Sequence, residues 1–254
     1  MTHPTSLSPE ARHTELKALL THYAHAYYVE DRSEVPDQVY DDLFRELQVL
    51  ESSYPGLVTL DSPTQRIGGA PVAALKPMRH LVPMLSLENS YNAEDLNDWD
   101  RKARELTGMD TLEYCIEPKF DGASISLIYE DDLLVRGATR GDGVEGDEIT
   151  VNLRQIRSIP LRADFSSLGV RQVEVRGEVL MTKQHFANYN LSLAEQNLPP
   201  LANPRNAAAG TLRIKDPAEV GRRNLEAFLY HISYVNLAPG KQQPKELSTH
   251  AGSI

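Results

Sequence analysis

The run Glu117-Pro118-Lys119-Phe120-Asp121-Gly122 carries a lysine to the end of an apolar, β-favouring stretch. Residues 112–116 predict a strand reaching to about residue 117. Pro118, which has no N–H to give a sheet ladder, predicts that regular pairing stops as Lys119 arrives. A lysine that loses its proton is a nucleophile, and desolvation is what shifts lysine most readily. At an ordinary pKa of ~10.4, about one lysine in a thousand is neutral near pH 7.4. Burial and neighbouring cations must therefore disfavour the ammonium form. K-x-D-G recurs by chance, and on its own it describes a surface lysine as well as a catalytic one.

The residues that follow give it company. Residues 124–129 alternate polar and apolar side chains, Asp131-Asp132 marks a turn, and 133–138 forms a second short run, which together predict a β-hairpin. Next comes Thr139-Arg140-Gly141-Asp142-Gly143-Val144-Glu145-Gly146, a glycine-rich acidic loop. It matches neither phosphate-loop pattern of glycines, so by itself it reads as a solvated turn. The strand-like run 173–181 sets Glu178 among apolar neighbours, where a structural salt bridge and a ligand contact are both open. Asn203-Pro204-Arg205-Asn206-Ala207-Ala208-Ala209-Gly210-Thr211-Leu212-Arg213 places two arginines beside small residues.

Taken together, K-F-D-G-A-S, T-R-G-D-G-x-x-G, E-V-R-G-E and N-P-R-N-A-A-A-G-T-L-R resemble the amino-terminal part of the bacterial NAD-dependent DNA ligases, from about Tyr23 to about Tyr234. The resemblance implies that Lys119 attacks the α-phosphorus of NAD. AMP is then held as a lysine phosphoramidate and nicotinamide mononucleotide leaves, the first step in sealing nicks in duplex DNA during replication and repair. It further implies that Glu117 reads adenine and that Glu178 binds ribose hydroxyls or positions a metal-bound phosphate. Ser86 and Leu87, in P-M-L-S-L, would line the nucleotide site. Arg140, Arg205 and Arg213 would supply cations and forked hydrogen bonds to phosphate oxygens. NAD is consumed as the AMP donor, and Mg²⁺ is implied by the family rather than by any ligand cluster.

A second constellation lies near the start. Asp37, Tyr40 and Asp41 are spaced i, i+3 and i+4, so on a helix they share a face, and Tyr27 and Tyr28 close the preceding helical run. Two carboxylates with aromatics could clasp a cationic nicotinamide ring; equally, Asp37 could cap the helix and Tyr40 sit in a core. The resemblance favours nicotinamide mononucleotide recognition, which selects NAD over ATP.

The elements expected to position these residues fall into two units and an α+β class. A helical unit over 1–69 would contain one helix opening at Ser8-Pro9-Glu10 and a second capped by Asp37, striped by Tyr40, Leu43, Phe44, Leu47 and Leu50 and stopped by Tyr54-Pro55-Gly56. The Pro- and Gly-rich stretch 62–83 reads as a linker. The second unit, 70–254, is expected to carry the nucleotidyltransferase fold that the resemblance implies. It would hold a helix over 92–107 with Leu96, Trp99, Ala103 and Leu106 facing inward. Strands are expected at 112–117, 124–130, 133–138, 173–181 and 225–235 in antiparallel sheets, with helices at 183–196 and 217–222. Asp132 stands where the family usually carries glycine, and a small stability effect is expected.

Bulk properties bound the rest. The 254 residues carry 26 basic and 36 acidic side chains, a net charge of −10, which argues against tight DNA binding by this stretch alone. Cys115 is the single cysteine, so no internal disulfide and no four-cysteine zinc site forms within the chain, and a buried inert thiol is expected. No apolar leader and no ~20-residue apolar run is present, which predicts a cytoplasmic protein without a membrane span; a monomer is expected. Relative to the resemblance the chain reads as a fragment, lacking D-G-x-V-[IV]-K, a later lysine, and the oligonucleotide-binding, zinc, helix-hairpin-helix and carboxyl-terminal domains. Weak NAD binding, slow or absent self-adenylation and no nick sealing are therefore expected of it. Two other readings stand: an ATP- or GTP-using nucleotidyltransferase such as an RNA ligase or capping enzyme, and a non-catalytic nucleotide-binding module.

Overall fold

A computed structural model describes residues 7–30, 32–66, 74–87 and 89–247. Helix α1 (Pro9–Tyr28) opens as its sequence dictates, with Pro9 in the first turn and the Ser8 side chain accepting from the Ala11 N–H. Helix α2 (Asp37–Ser53) begins one residue later than expected. Pro36 is its cap residue and no side chain caps it, so Asp37 is the first helical residue, where its charge meets the helix dipole. Leu16, Leu20 and Leu47 are fully buried between the two helices, with Tyr40, Leu43, Phe44 and Leu50 packed around them.

Part of the expected linker is built structure. Ser62 is fully buried, and its hydroxyl donates to Glu51 at 2.6 Å, while Thr64 donates to the same carboxylate and His13 Nε2 lies 2.9 Å from it. Burial alone raises the Glu51 pKa, but the hydrogen bonds from Ser62, Thr64 and His13 outweigh it and hold the carboxyl below its ordinary value. A lowered folded-state pKa contributes stability above the unfolded value, lost as pH falls through the carboxylate range. Glu51→Ala is expected to cost about 2–3 kcal/mol in a denaturant melt, since it leaves buried hydroxyls without an acceptor. It should also flatten the acid limb of the stability curve.

The second unit is built on a four-stranded antiparallel sheet in the order β3-β2-β5-β6. A short strand β1 (Pro77–Arg79) and a helix α3 (Ala93–Thr107) precede β2 (Ala123–Glu130), β3 (Leu133–Thr139) and β4 (Glu145–Asp147). Then come α4 (Thr150–Leu153), β5 (Val170–Leu180), α5 (Lys183–Glu195), α6 (Pro204–Thr211), α7 (Pro217–Arg222) and β6 (Glu226–Leu237). The class is α+β, as expected. Ile125, Leu127 and Tyr129 of β2 and Val173, Val175 and Val179 of β5 bury one side of the sheet against Leu153, Ile156, Ala207, Ala208, Leu212 and Val220. Across the sheet, Ile128 and Ala138 pack with Met78 in a smaller cluster.

Several expectations need correction. Residues 112–117 form no strand, and no neighbouring strand offers them a ladder among the described residues. Ile116 is 93% exposed, and Cys115 is an exposed thiol, not a buried one. Desolvation, then the nearby Glu117 carboxylate, holds that thiol above its usual pKa, which makes it a poorer nucleophile. Helix α3 exists with its Asn92 cap, but Leu96, Trp99 and Leu106 are exposed, with Trp99 meeting the Tyr114 ring at 5.2 Å between centroids. Asp131 and Asp132 both take positive φ, as a tight hairpin turn requires. Asp132 does more than tolerate the turn: it is buried and accepts from Arg162, from the Ser166 N–H and from the Ser166 hydroxyl.

The units meet at Arg66. One guanidinium nitrogen donates to the carbonyls of Arg154 (2.8 Å) and Ile156 (2.9 Å), and another to Ile159 (2.7 Å). These bonds dock the end of the helical unit onto the turns after α4.

Candidate functional site

The K-x-D-G turn is held from several distant stretches of chain. Ala123 pairs with Val179 at the end of β2, which brings the turn against β5. The Gly122 N–H donates to Glu178 Oε1 at 3.2 Å, and the Ser124 hydroxyl donates to Glu178 Oε2 at 2.7 Å. A Cβ on Gly122 would lie 2.2 Å from the Val179 carbonyl oxygen, so only glycine lets the strands approach this closely. Phe120 stacks on Phe228 of β6, with ring centroids 4.4 Å apart. Arg205, in the first turn of α6, reaches Asp121 at 3.1 Å. Lys119 therefore projects from a turn pinned by β5, β6 and α6.

The remaining residues divide. Glu178 is buried, while Lys119, Glu117, Arg140, Arg205 and Arg213 are exposed. A desolvated amine was expected at Lys119, and the structure corrects this: the preceding residues, lacking a ladder, lie on the surface. Arg213 pairs with Asp147 of β4 at 2.9 Å and thus braces the glycine-rich loop. That loop is more than a solvated turn. Its end is β4, which pairs with β1 at Met78↔Gly146, and Gly143 (φ +95°) gives its carbonyl to the Met84 N–H at 2.8 Å. Asp142 accepts from the Val144 and Glu145 N–H groups, and the bond from Glu145, then that from Val144, lowers its carboxyl pKa. Ser86 and Leu87 follow Met84 and are exposed.

Tyr230 of β6 was missed by the sequence reading. Burial raises its hydroxyl pKa and the charge of Glu178 raises it further, while Arg176 and Arg140 oppose the rise at smaller scale. Its sequence signal was no more than its place in the expected strand 225–235.

Tyr27, Asp37, Tyr40 and Asp41 line a different recess, a cleft of about 1400 Å³ between the helical unit and residues 155–164, with Arg157, Arg162 and Arg222 on its far wall. Tyr40 stacks with Phe44 (6.4 Å between centroids) and so serves packing as well as the cleft. Tyr28 ends α1, and its side chain lies outside the described residues. Lys119, Glu117, Arg140 and Glu178 are not among the cleft's lining residues, so the two constellations are separate in this arrangement. Among the described residues no three or more His, Cys, Asp or Glu side chains could together hold a metal ion. Likewise no helix among them is long and apolar enough to cross a membrane.

Comparison with known families assigns both units. The family model of the NAD-dependent DNA ligase adenylation domain matches residues 72–251, and that of the DNA ligase-like N-terminal NAD+-binding domain matches residues 6–68. The chain belongs to the NAD-dependent DNA ligase family. Curated relatives named DNA ligase include those of Aquifex aeolicus (49% identical over 94% of this chain), Persephonella marina (52% over 89%) and Hydrogenobaculum sp. (47% over 99%). The matched regions are 33%, 32% and 36% of those proteins, so the chain spans about a third of the length of the relatives it matches. In ligase terms, the pinned turn and its arginines belong to the adenylation domain, and the acid-and-tyrosine cleft wall belongs to the NAD+-binding domain.

Proposed function

We propose that the chain performs the first step of NAD-dependent DNA ligation. The Lys119 amine attacks the α-phosphorus of NAD, and the phosphorus–oxygen bond to nicotinamide mononucleotide breaks. AMP stays on Nζ as a phosphoramidate, and the displaced amine proton goes to solvent. The observation that carries this reading is the convergence on one turn of Glu178, Arg205 and Phe228, drawn from motifs far apart in the chain. Glu117 would read the adenine edge, and Glu178, with two lone pairs already committed to the turn, would use the others for ribose. Arg140, Arg205 and Arg213 would hold phosphate oxygens, and Ser86 and Leu87 would border the nucleotide. Tyr27, Tyr28, Asp37, Tyr40 and Asp41 would hold the nicotinamide half.

Because Lys119 is exposed, the desolvation its reaction needs would come from the bound dinucleotide itself. One NAD molecule spanning both constellations requires the helical unit to swing from the cleft towards the pinned turn. Magnesium would arrive with the phosphates rather than in a protein cage. The adenylate would then serve nick sealing in duplex DNA, in a cytoplasmic, monomeric enzyme.

Intact-mass spectrometry after incubation with NAD and Mg²⁺ tests the reading, on the chain alone and on the chain joined to the remaining two thirds of the Aquifex aeolicus relative. An adenylate-sized gain on Lys119 is expected with NAD and not with ATP. It should be slow or absent in the 254-residue chain, which should seal no nicks, and full in the joined form. Asp37→Ala is expected to slow the NAD-driven gain at least tenfold, an estimate that assumes one charge-assisted contact is lost. A gain with ATP alone would favour an ATP-using relative, and no gain in the joined form would favour a non-catalytic module.

A further inference from the structure

Glu174 of β5 is fully buried on the side of the sheet lined by Ile128, Met78 and Ala138, where an apolar residue would be the simpler occupant. Its Oε1 accepts from the Ser126 hydroxyl at 2.6 Å and its Oε2 from the Val82 N–H at 3.2 Å. The His80 ring lies against it, side chain fully enclosed, with Nδ1 3.8 Å from Oε1 and without a hydrogen-bond partner. The other ring nitrogen, Nε2, is 3.0 Å from the carbonyl oxygen of Arg140. A carbonyl only accepts, so Nε2 carries the hydrogen.

This buried pair stitches together two loops that both carry candidate nucleotide residues. On the Arg140 side, the same carbonyl accepts from the Gly143 N–H (3.1 Å), the Arg140 N–H donates to Ser124 (3.1 Å), and the His80 N–H donates to Val144 (3.0 Å). On the other side, Arg176 of β5 donates to the Val82 carbonyl (2.7 Å) and the Pro83 carbonyl (3.1 Å), fixing the strip that leads to Ser86 and Leu87. A Cβ on Gly143 would meet the Met84 carbonyl at 2.6 Å, so the two strips are in direct backbone contact.

We propose that His80, backed by Glu174, is a positioning residue for Arg140: it fixes the backbone from which the guanidinium reaches the nucleotide phosphates. The inference rests on the reading of Arg140 as a phosphate ligand. Its reason is geometric: a displacement of about 1 Å in a positioning group can cost on the order of a hundredfold in rate. A histidine whose ring donates to that residue's own carbonyl controls the displacement directly.

Hydrogen–deuterium exchange and NAD titration of the 254-residue chain test it together, using His80→Leu, His80→Gln and Arg140→Gln. His80→Leu removes the donor. It should speed exchange within residues 139–147, leave β5 and the helical unit at wild-type rates, and weaken NAD binding about tenfold, the scale of one well-placed hydrogen bond. His80→Gln restores a donor of similar reach and should recover most of both effects. In the Arg140→Gln background, His80→Leu should add less than about twofold to the affinity loss, because the two act through the same contact. Unchanged exchange at 139–147 overturns the proposal. So does faster exchange with unaltered NAD affinity, or an affinity loss that adds in full to that of Arg140→Gln. If Arg140→Gln leaves NAD affinity unchanged while exchange at 139–147 still responds to His80→Leu, the reading of Arg140 as a ligand fails and takes the inference with it.

Discussion

Lys119→Arg is expected to abolish the adenylate-sized mass gain, by more than about a thousandfold in rate, in the form joined to the Aquifex aeolicus relative. Arginine keeps the positive charge and a long apolar stem, so the exposed turn and its contacts at Asp121 and Glu178 are undisturbed. What it cannot do is give up a proton: the guanidinium stays charged in proteins and offers no lone pair to phosphorus. NAD affinity, measured by titration, should stay within a few-fold of wild type, since binding depends on charge and shape that the substitution preserves. This separation of binding from capture distinguishes a nucleophile from a mere phosphate contact. A mass gain that persists in the variant, or that maps to another residue, removes Lys119 from the chemistry.

Gly122→Ala should be strongly damaging for a single added methyl group. The added carbon would sit 2.2 Å from the Val179 oxygen, 2.7 Å from a Leu180 methyl and 2.9 Å from the Val179 carbonyl carbon. Val179 cannot retreat, because it is the ladder partner of Ala123 on one side and of Ala227 on the other. The turn must move instead, which breaks the Gly122–Glu178 bond and shifts Lys119 with it. A loss of about 3 kcal/mol is expected, or a melting point lower by roughly 10 °C for a domain of this size, together with loss of adenylation. Gly210→Ala is the control: nothing lies within 4 Å of its added carbon, and it sits in α6, where alanine is the better helix former by about 1 kcal/mol. Equal melting points for Gly122→Ala and wild type would show that the close approach is not needed.

The hairpin of β2 and β3 was legible because alternation over 124–129 and the Asp131-Asp132 turn are local signals, and local signals suffice where the partner strand is next in sequence. The same logic misled at 112–117. Apolar, β-favouring residues state a preference, but a strand needs a neighbour to bond, and none is present among the described residues. The exposed stripe of α3 failed in the same way: its spacing was right for a helix, but spacing does not say what covers the face. Strands β1 and β4, three residues each, are too short to show any period. At the site, Lys119, Glu178 and Arg205 were legible only as a set of motifs. That Glu178 would grip the Gly122 N–H, and that His80 would reach Arg140, depends on sheet register between segments far apart in the chain, which no single stretch of sequence encodes.

The Arg66 clasp has a consequence for timing. While its fork grips the carbonyls of Arg154, Ile156 and Ile159, the wall bearing Asp37 and Asp41 faces residues 155–164 across a cleft that the Lys119 turn does not line. Proton concentration has no handle on such a latch, because a guanidinium keeps its charge throughout the range in which proteins survive. It yields only to something that outbids those oxygens or levers the helices off them, so under the proposed adenylation the expected release signal is ligand and not acidity.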